Sequence, residues 1–158
     1  MILTLPEKML IYEEGLKTKS YKCSNGYPTI GVGHKILPTD PKRYTTVGLK
    51  SRQEAVEILK ADMKIAERDA DKYAWFKGLN QARRAVILSM IFQMGAERFA
   101  KFEQFIRAME LGKFTTARNE MLESKWAKSD SPARAKRHAA QMLSGGWMPE
   151  YTMFKVEV

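Results

Sequence analysis

The segment from Ala82 to Met94 constrains the fold most, because apolar residues occupy nearly every side of the helix that their spacing predicts. Asn80 stands where it can cap this helix, and Gly95 stands where the helix can end. A helix that is apolar all round must be buried on all sides, so we expect this one at the centre of a helical lobe. We predict three shorter helices after it, at about 101–111, about 114–128 and 131–143, with Ser131 capping the last.

The amino-terminal part of the chain has a different pattern. Thr4 and Glu7 have the spacing of a capping box, which predicts a helix over residues 4–14. In residues 18–36, aromatic and β-branched side chains surround an Asn25-Gly26 turn, which predicts a β-hairpin. The next residues, up to Lys50, contain prolines and a glycine and are predicted to form a loop.

A long helix with a thin apolar stripe is predicted over about 51–74, opened by a second capping box at Ser51 and Glu54. A helix of this kind often connects two lobes. We therefore predict one α+β domain over residues 1–158. It comprises a small amino-terminal sheet lobe (about 15–50), the connecting helix (about 51–74), and a larger all-helical carboxy-terminal lobe (about 79–158, with the helix 4–14).

Composition narrows the class of protein. The chain has 27 Lys and Arg against 18 Asp and Glu, a net charge of +9, and 44% of its residues are hydrophobic. The hydrophobic share excludes a disordered basic tail, and the charge favours nucleic acid, a membrane surface or an anionic polymer as partner. One cysteine excludes a disulfide framework, and two histidines 104 positions apart argue against a metal site, so we expect no metal and no cofactor. No apolar run reaches about 18–20 residues and no secretory signal is visible, so we expect a cytoplasmic protein without a transmembrane segment.

Glu14 is the first candidate for chemistry, because it closes the predicted first helix. The negative end of a helix dipole disfavours an ionised carboxylate and so raises its pKa, and a protonated carboxyl can act as a general acid. The alternative is that Glu13 and Glu14 are both solvated charges at a helix end. For His34 we favour a structural hydrogen-bonding role over a ligand role.

Cys23 and Thr29 flank the hairpin turn, and the loop length decides whether they face the same way. A two-residue loop would pair Cys23 with Pro28 and send Cys23 and Thr29 to opposite faces. A three-residue loop, residues 24–26, pairs Cys23 with Tyr27 and puts Cys23, Tyr27 and Thr29 on one face; we predict this register. The alternative is that Cys23 is a small buried hydrophobe and Thr29 a strand residue chosen for its β-branch.

The spacing Glu14, eight residues, Cys23, five residues, Thr29 resembles the catalytic pattern Glu-x8-Asp/Cys-x5-Thr of the phage lysozymes of the bacteriophage T4 type. The likeness is contiguous through residues 26–34 (GYPTIGVGH). Further stretches that resemble this family follow in order along nearly the whole chain: 82–85 (ARRA), 92–95 (FQMG), 124–126 (SKW), 134–137 (RAKR) and 146–147 (GW).

The resemblance implies a lysozyme-like fold and hydrolysis, with inversion, of the β-1,4 bond between N-acetylmuramic acid and N-acetylglucosamine in bacterial peptidoglycan. It makes Glu14 the acid, with Cys23 and Thr29 acting on the water side of the sugar. It implies that Arg134 holds the Glu14 carboxyl in place and that His34 supports the site. The positions that it assigns to substrate binding are Tyr27, Phe92, Gln93, Phe105 and Glu120.

Two features depart from the T4 enzyme. The segment between His34 and Ser51 is shorter, so the outer part of the sheet lobe should be smaller. Cys23 stands where the T4 enzyme has Asp, although Cys belongs to the family pattern at this position. An unperturbed thiol, with a pKa of about 8.5, is mostly protonated at neutral pH, and nearby Lys22 or the positive field of the protein would lower that value. Cys23 could act as a thiolate base, as a polarisable neighbour of the developing positive charge or, ranked below water activation, as a nucleophile.

As an endolysin, the chain is expected to be a monomer that accumulates in the host cytoplasm and depends on a holin to reach the wall. Its expected partners are peptidoglycan and anionic cell-envelope polymers, drawn to basic helices near the carboxy terminus, and not nucleic acid. Two rival functions are a nucleic-acid-binding domain that uses Arg83, Arg84 and residues 134–137, and a membrane-disrupting protein that uses a basic helix at 131–143.

Overall fold

The computed structural model describes all residues from Met1 to Val158 and divides into two compact units. The first unit comprises residues 1–64 and 153–158, and the second comprises residues 65–152. Helices together with one small sheet confirm the predicted α+β class. None of the helices combines the length and the apolar character that a membrane crossing requires.

The first helix, α1 (Leu5–Glu14), begins as predicted. The Thr4 backbone N–H donates to Glu7 Oε1 at 2.8 Å, and the Glu7 backbone N–H donates to Thr4 Oγ1 at 3.3 Å. Both halves of the capping box therefore form and satisfy two amide groups that the helix itself leaves without acceptors. Gly15 ends α1 with φ of +77°, which leaves Glu14 as the last helical residue.

The sheet has three antiparallel strands, in the order β1 (Lys17–Lys22), β2 (Pro28–Gly31) and β3 (His34–Lys35). In the hairpin, Tyr21 pairs with Thr29 and Lys22 with Pro28. Beyond these pairs, the Cys23 backbone N–H donates to the Tyr27 carbonyl at 3.0 Å. This confirms the predicted three-residue loop and excludes the two-residue register.

The structure adds a third strand and a short helix to the predicted hairpin and loop. In β3, Lys35 pairs with Thr29 and His34 with Ile30. The predicted loop up to Lys50 contains a helical turn, α2 (Arg43–Thr46), and Arg43 forms an ion pair with Glu54. Glu54 lies on the next helix, so this ion pair fixes the loop within the first unit.

The long helix, α3 (Arg52–Ala70), is shorter at its carboxy end than predicted. Its capping box is also shifted by one residue: Ser51 Oγ accepts from the Glu54 N–H at 3.1 Å, but the Glu54 carboxylate accepts from the Lys50 N–H at 2.7 Å. After Ala70 the chain continues in turns, and the Tyr73 ring packs edge-on against an aromatic ring further along the chain, 5.6 Å away, instead of extending the apolar stripe of α3.

The second unit is helical. Its elements are α4 (Gln81–Met94), α5 (Ala96–Ala100), α6 (Glu103–Glu110), α7 (Phe114–Glu123), a π-helical turn (Trp126–Asp130), α8 (Pro132–Ser144) and α9 (Pro149–Thr152). As predicted, α4 is buried, with Val86, Ile87 and Met90 fully inaccessible to solvent. Asn80 Oδ1 accepts from the Arg83 N–H at 3.0 Å, which confirms the predicted cap.

Three helix predictions in this unit were wrong in detail. The predicted helix 101–111 corresponds to α6, which begins two residues later at Glu103, and the short helix α5 before it was not predicted. The predicted helix 114–128 stops at Glu123, because Ser124 is extended and its hydroxyl donates to the Met121 carbonyl at 2.6 Å. Ser131 precedes α8 but does not cap it with its side chain; its hydroxyl accepts a hydrogen bond from a glutamine of α4 at 2.8 Å.

Candidate active site

One face of the sheet carries the predicted hairpin residues together. Cross-strand partners share a face and neighbours alternate, so the observed register puts Tyr21, Cys23, Tyr27 and Thr29 on the same side. Thr29 is buried, with 2% of its surface exposed, and its Oγ1 donates to the Tyr27 carbonyl at 2.9 Å. Tyr27, by contrast, is 53% exposed.

Glu14 reaches the sheet from the end of α1 because Gly33 has no side chain. A Cβ at Gly33 would lie 2.7 Å from Glu14 Oε1 and 2.9 Å from its Cδ, and Gly33 has φ of +61°, so both space and backbone conformation require glycine. Burial, together with the nearby charges of Glu14 and Cys23, raises the pKa of Tyr21. Tyr21 therefore lies within electrostatic range of both Glu14 and Cys23, and it pairs with Thr29 across the hairpin. Glu14, Cys23 and Thr29 are thus all grouped around Tyr21 in the first unit.

Cys23 is a free thiol, only partly covered by the protein. Burial by itself raises the pKa of this thiol. Backbone hydrogen bonds from Asn25 and Tyr27, the Thr29 hydroxyl and the Lys35 charge together outweigh it and lower the pKa. The turn that sets the register thus also favours a thiolate at Cys23.

His34 has a structural role, as we favoured from the sequence. Its Nδ1 lies 2.7 Å from Asp62 Oδ2 on α3, and its Nε2 lies 2.8 Å from Asp40 Oδ2. The hydrogen bond to Asp62, helped by Asp40 and by both carboxylate charges, outweighs burial and raises the pKa of His34 to about 9. At neutral pH His34 is an imidazolium that donates to both carboxylates and ties β3 to α3 and to the loop.

The remaining predicted site residues lie in the second unit. Arg134 is buried on α8, 6% exposed, and its Nη2 donates to Ser89 Oγ at 2.8 Å and to the Ser89 carbonyl at 3.3 Å. Gln93 is held at both ends of its amide: Oε1 accepts from Trp126 Nε1 at 2.9 Å and Nε2 donates to Ser131 Oγ at 2.8 Å. Phe92 and Glu120 are partly exposed.

Phe105 does not fit its predicted place among the substrate-binding residues. Only 1% of its surface is exposed, and its ring packs edge-on against Phe99 at 6.1 Å and Phe102 at 6.4 Å. A side chain this buried has no surface to offer a saccharide, so we correct its assignment to the core of the second unit.

Three residues next to the predicted ones were missed from the sequence. Asp40 and Asp62 hold His34, and Lys35 shares the sheet face with Thr29. Only the third strand could have indicated Lys35, because the pairing of Lys35 with Thr29 follows from the register of β2 and β3.

Comparison with known proteins gives a consistent result. A family model described as phage lysozyme matches residues 12–141. A protein named probable T4-type lysozyme 1, from Dictyostelium discoideum, is 29% identical over 87% of this chain and 92% of its own length. The endolysin of Salmonella phage P22 is 32% identical over 84% of this chain and 90% of its own length. The pre-baseplate central spike protein Gp5 of Enterobacteria phage T4 is 28% identical over 87% of this chain and 27% of its own length.

Proposed function

The chain belongs to the phage lysozyme family, as a glycoside hydrolase with a lysozyme-like α+β fold, and from this premise we propose that it is an endolysin that cleaves the β-1,4 bond between N-acetylmuramic acid and N-acetylglucosamine in peptidoglycan. The observation that carries the proposal is the position of Glu14. Its carboxyl lies against Gly33 at the end of α1, in the same neighbourhood as the thiol of Cys23 and the hydroxyl of Thr29.

In the proposed reaction, Glu14 gives its proton to the bridging oxygen as the bond from the anomeric carbon to that oxygen breaks. A water attacks the same carbon from the opposite side, which inverts its configuration. The Cys23 thiolate takes a proton from this water, and the lowered pKa of the thiol supports such a role. Thr29, whose Oγ1 lies 2.9 Å from the Tyr27 carbonyl oxygen, has hydroxyl lone pairs that can accept a hydrogen bond from the water.

Five further residues have supporting roles in the proposal. Tyr27, with its exposed ring, contacts a sugar. Arg134, whose guanidinium is fixed by Ser89, has the supporting role that the family resemblance assigns to it. Gln93, whose amide is oriented by Trp126, binds substrate together with Phe92 and Glu120.

The setting of the reaction is also part of the proposal. The P22 relative is named an endolysin, and we infer that this chain likewise lyses its host from the cytoplasmic side, after a holin has opened the membrane. The net charge of +9 attracts the enzyme, as a monomer, to anionic polymers of the cell envelope, an attraction that weakens as salt rises.

The decisive experiment compares Glu14→Gln with Glu13→Gln, because Glu13 is the neighbouring carboxyl at the same helix end. We expect Glu14→Gln to lower the rate of turbidity loss of purified peptidoglycan by at least about 100-fold, and Glu13→Gln to lower it far less. Lysis of cells that persists in Glu14→Gln would favour the membrane-disrupting alternative, and steeply salt-dependent DNA binding would favour the nucleic-acid-binding one. NMR of the first product shows the anomeric configuration, and retention would contradict the inverting reaction.

A further inference from the structure

Lys35 lies on the sheet face that carries Cys23, although nothing in the family pattern marks it. It pairs with Thr29 across β2 and β3, and Thr29 pairs with Tyr21 across β2 and β1, so these three side chains form a row on one face. The Lys35 Nζ lies 4.7 Å from the centroid of the Tyr27 ring. This cation–π contact holds a flexible side chain beside the residue that pairs with Cys23.

The charged and titratable groups near Cys23 come from three elements. Tyr21 on β1 lies within electrostatic range of the thiol and of Glu14 on α1, and Lys35 on β3 is the cation that acts on the thiol. Lys22, which the sequence suggested for this role, is next to Cys23 in the chain, and strand alternation directs its side chain to the opposite face. The structure therefore replaces Lys22 with Lys35.

We propose that Lys35 is a positioning residue whose charge adds to the hydrogen bonds of the turn in favouring the thiolate form of Cys23 for the activation of water. The inference rests on the proposed function. Its physical reason is the difference between a thiol and a carboxyl: an aspartate is ionised at neutral pH without help, because its ordinary pKa is about 4, whereas an ordinary thiol is only a few per cent ionised. At this position a nearby positive charge raises the thiolate fraction of a Cys, whereas an Asp is ionised with or without it.

The first test measures the thiol directly, without any substrate. The rate of Cys23 alkylation by iodoacetamide is recorded against pH for the wild type, Lys35→Met, Lys35→Arg and the control Lys22→Met. We expect the midpoint for Lys35→Met to rise by about 0.3 pH units at low salt, the effect of one unit charge within a Debye length, and to change less in high salt. Lys35→Arg keeps the charge and should restore the wild-type midpoint, and Lys22→Met should not move it.

The second test places the same substitutions in a Cys23→Asp background and measures turbidity loss of peptidoglycan near neutral pH. Lys35→Met should lower the rate about two-fold when position 23 is Cys, and leave it unchanged when position 23 is Asp, which is ionised in either case. Equal losses in both backgrounds would overturn the proposal and show that Lys35 acts on the substrate. Identical alkylation midpoints for Lys35→Met and Lys22→Met would overturn it as well. The alkylation test needs no catalysis, so failure of the Lys35 proposal can be distinguished from failure of the proposed function. The latter would show as an active Glu14→Gln variant.

Discussion

Gly33 illustrates how the site is built at the scale of single residues. It stands at the turn between β2 and β3 with φ of +61°, and the Glu14 side chain occupies the space that a Cβ would need. The carboxyl of Glu14, the proposed general acid, is thus placed by the absence of a side chain on another element.

The substitution Gly33→Ala should therefore affect activity more than stability. The left-handed backbone costs an alanine about 1 kcal/mol, and the new Cβ must also displace the Glu14 carboxyl. We expect a loss of activity of at least about ten-fold, measured by turbidity loss of peptidoglycan. Gly112→Ala is the matched control, since Gly112 has φ of +66° and a Cβ there meets nothing within 4 Å. Equal losses of activity in the two variants, at equal stability in urea, would contradict this account.

The site residues that could be predicted from the sequence are those whose placement depends on local spacing. Cys23 and Thr29 share a face because a three-residue loop sets the register, and the type of loop is determined by residues adjacent in sequence. Lys35, Asp40 and Asp62 escaped prediction, because their contacts depend on how β3 and α3 pack, which no short segment encodes. The buried position of Phe105 escaped for the same reason.

At the scale of elements, the helix starts were predicted better than the helix ends. Thr4 and Asn80 cap as predicted, because a cap needs only the side chain and an amide three residues later. Ser131 failed as a cap because Gln93, distant in sequence, donates to its hydroxyl. The short helix α5 was not predicted; it is separated from α6 at Phe102, whose ring stacks on Phe99 of α5 at 6.4 Å.

Arg83 provides a prediction about helix packing, because this residue of α4 donates hydrogen bonds to the carbonyls at the carboxy-terminal end of α8. Its Nε donates to the Met142 carbonyl at 2.8 Å, its Nη2 donates to the Leu143 carbonyl at 3.0 Å, and its guanidinium lies 3.6 Å over the Phe114 ring. These carbonyls belong to the last turn of α8, which has no intrahelical donors for them. Arg83→Ala should therefore lower the free energy of unfolding by about 2–3 kcal/mol in urea titrations.

The neighbouring substitution Arg84→Ala is the control and should cost no more than about 0.5 kcal/mol. Lys in place of Arg83 keeps the charge but has one nitrogen, so it should recover only part of the loss. Equal effects of Arg83→Ala and Arg84→Ala would contradict the end-closing role. The same contacts weaken the nucleic-acid-binding alternative, because they occupy the Arg83 guanidinium within the second unit.

At the scale of the whole molecule, the two histidines give the stability opposite dependences on pH. His34 is 11% exposed between two carboxylates, and its pKa is raised to about 9. His138 is fully buried, 2.7 Å from Ser89 Oγ and 3.2 Å from the Tyr151 hydroxyl. Burial, with the nearby charges of Arg134 and Arg137, lowers the pKa of His138 well below its ordinary value. One histidine is thus charged in the folded chain and the other is neutral.

The free energy of unfolding should therefore be greatest near pH 6–7. The contribution of His34 is fully present below its unfolded pKa of about 6.5 and is lost as pH rises through about 9. We expect this loss to be about 1–3 kcal/mol after solvent screening. His138 acts in the opposite direction. As pH falls below about 6.5, the unfolded chain takes up a proton at this histidine that the folded chain does not bind, so stability falls.

Urea titrations from pH 5 to pH 10 test this prediction. In a plot of the free energy of unfolding against pH, we expect His34→Gln to flatten only the alkaline side and His138→Gln only the acid side. Other groups also titrate above pH 9, so the quantity to measure is the difference in free energy of unfolding between the wild type and His34→Gln. If this difference stays constant from pH 6 to pH 10, His34 is not charged in the folded chain as we infer.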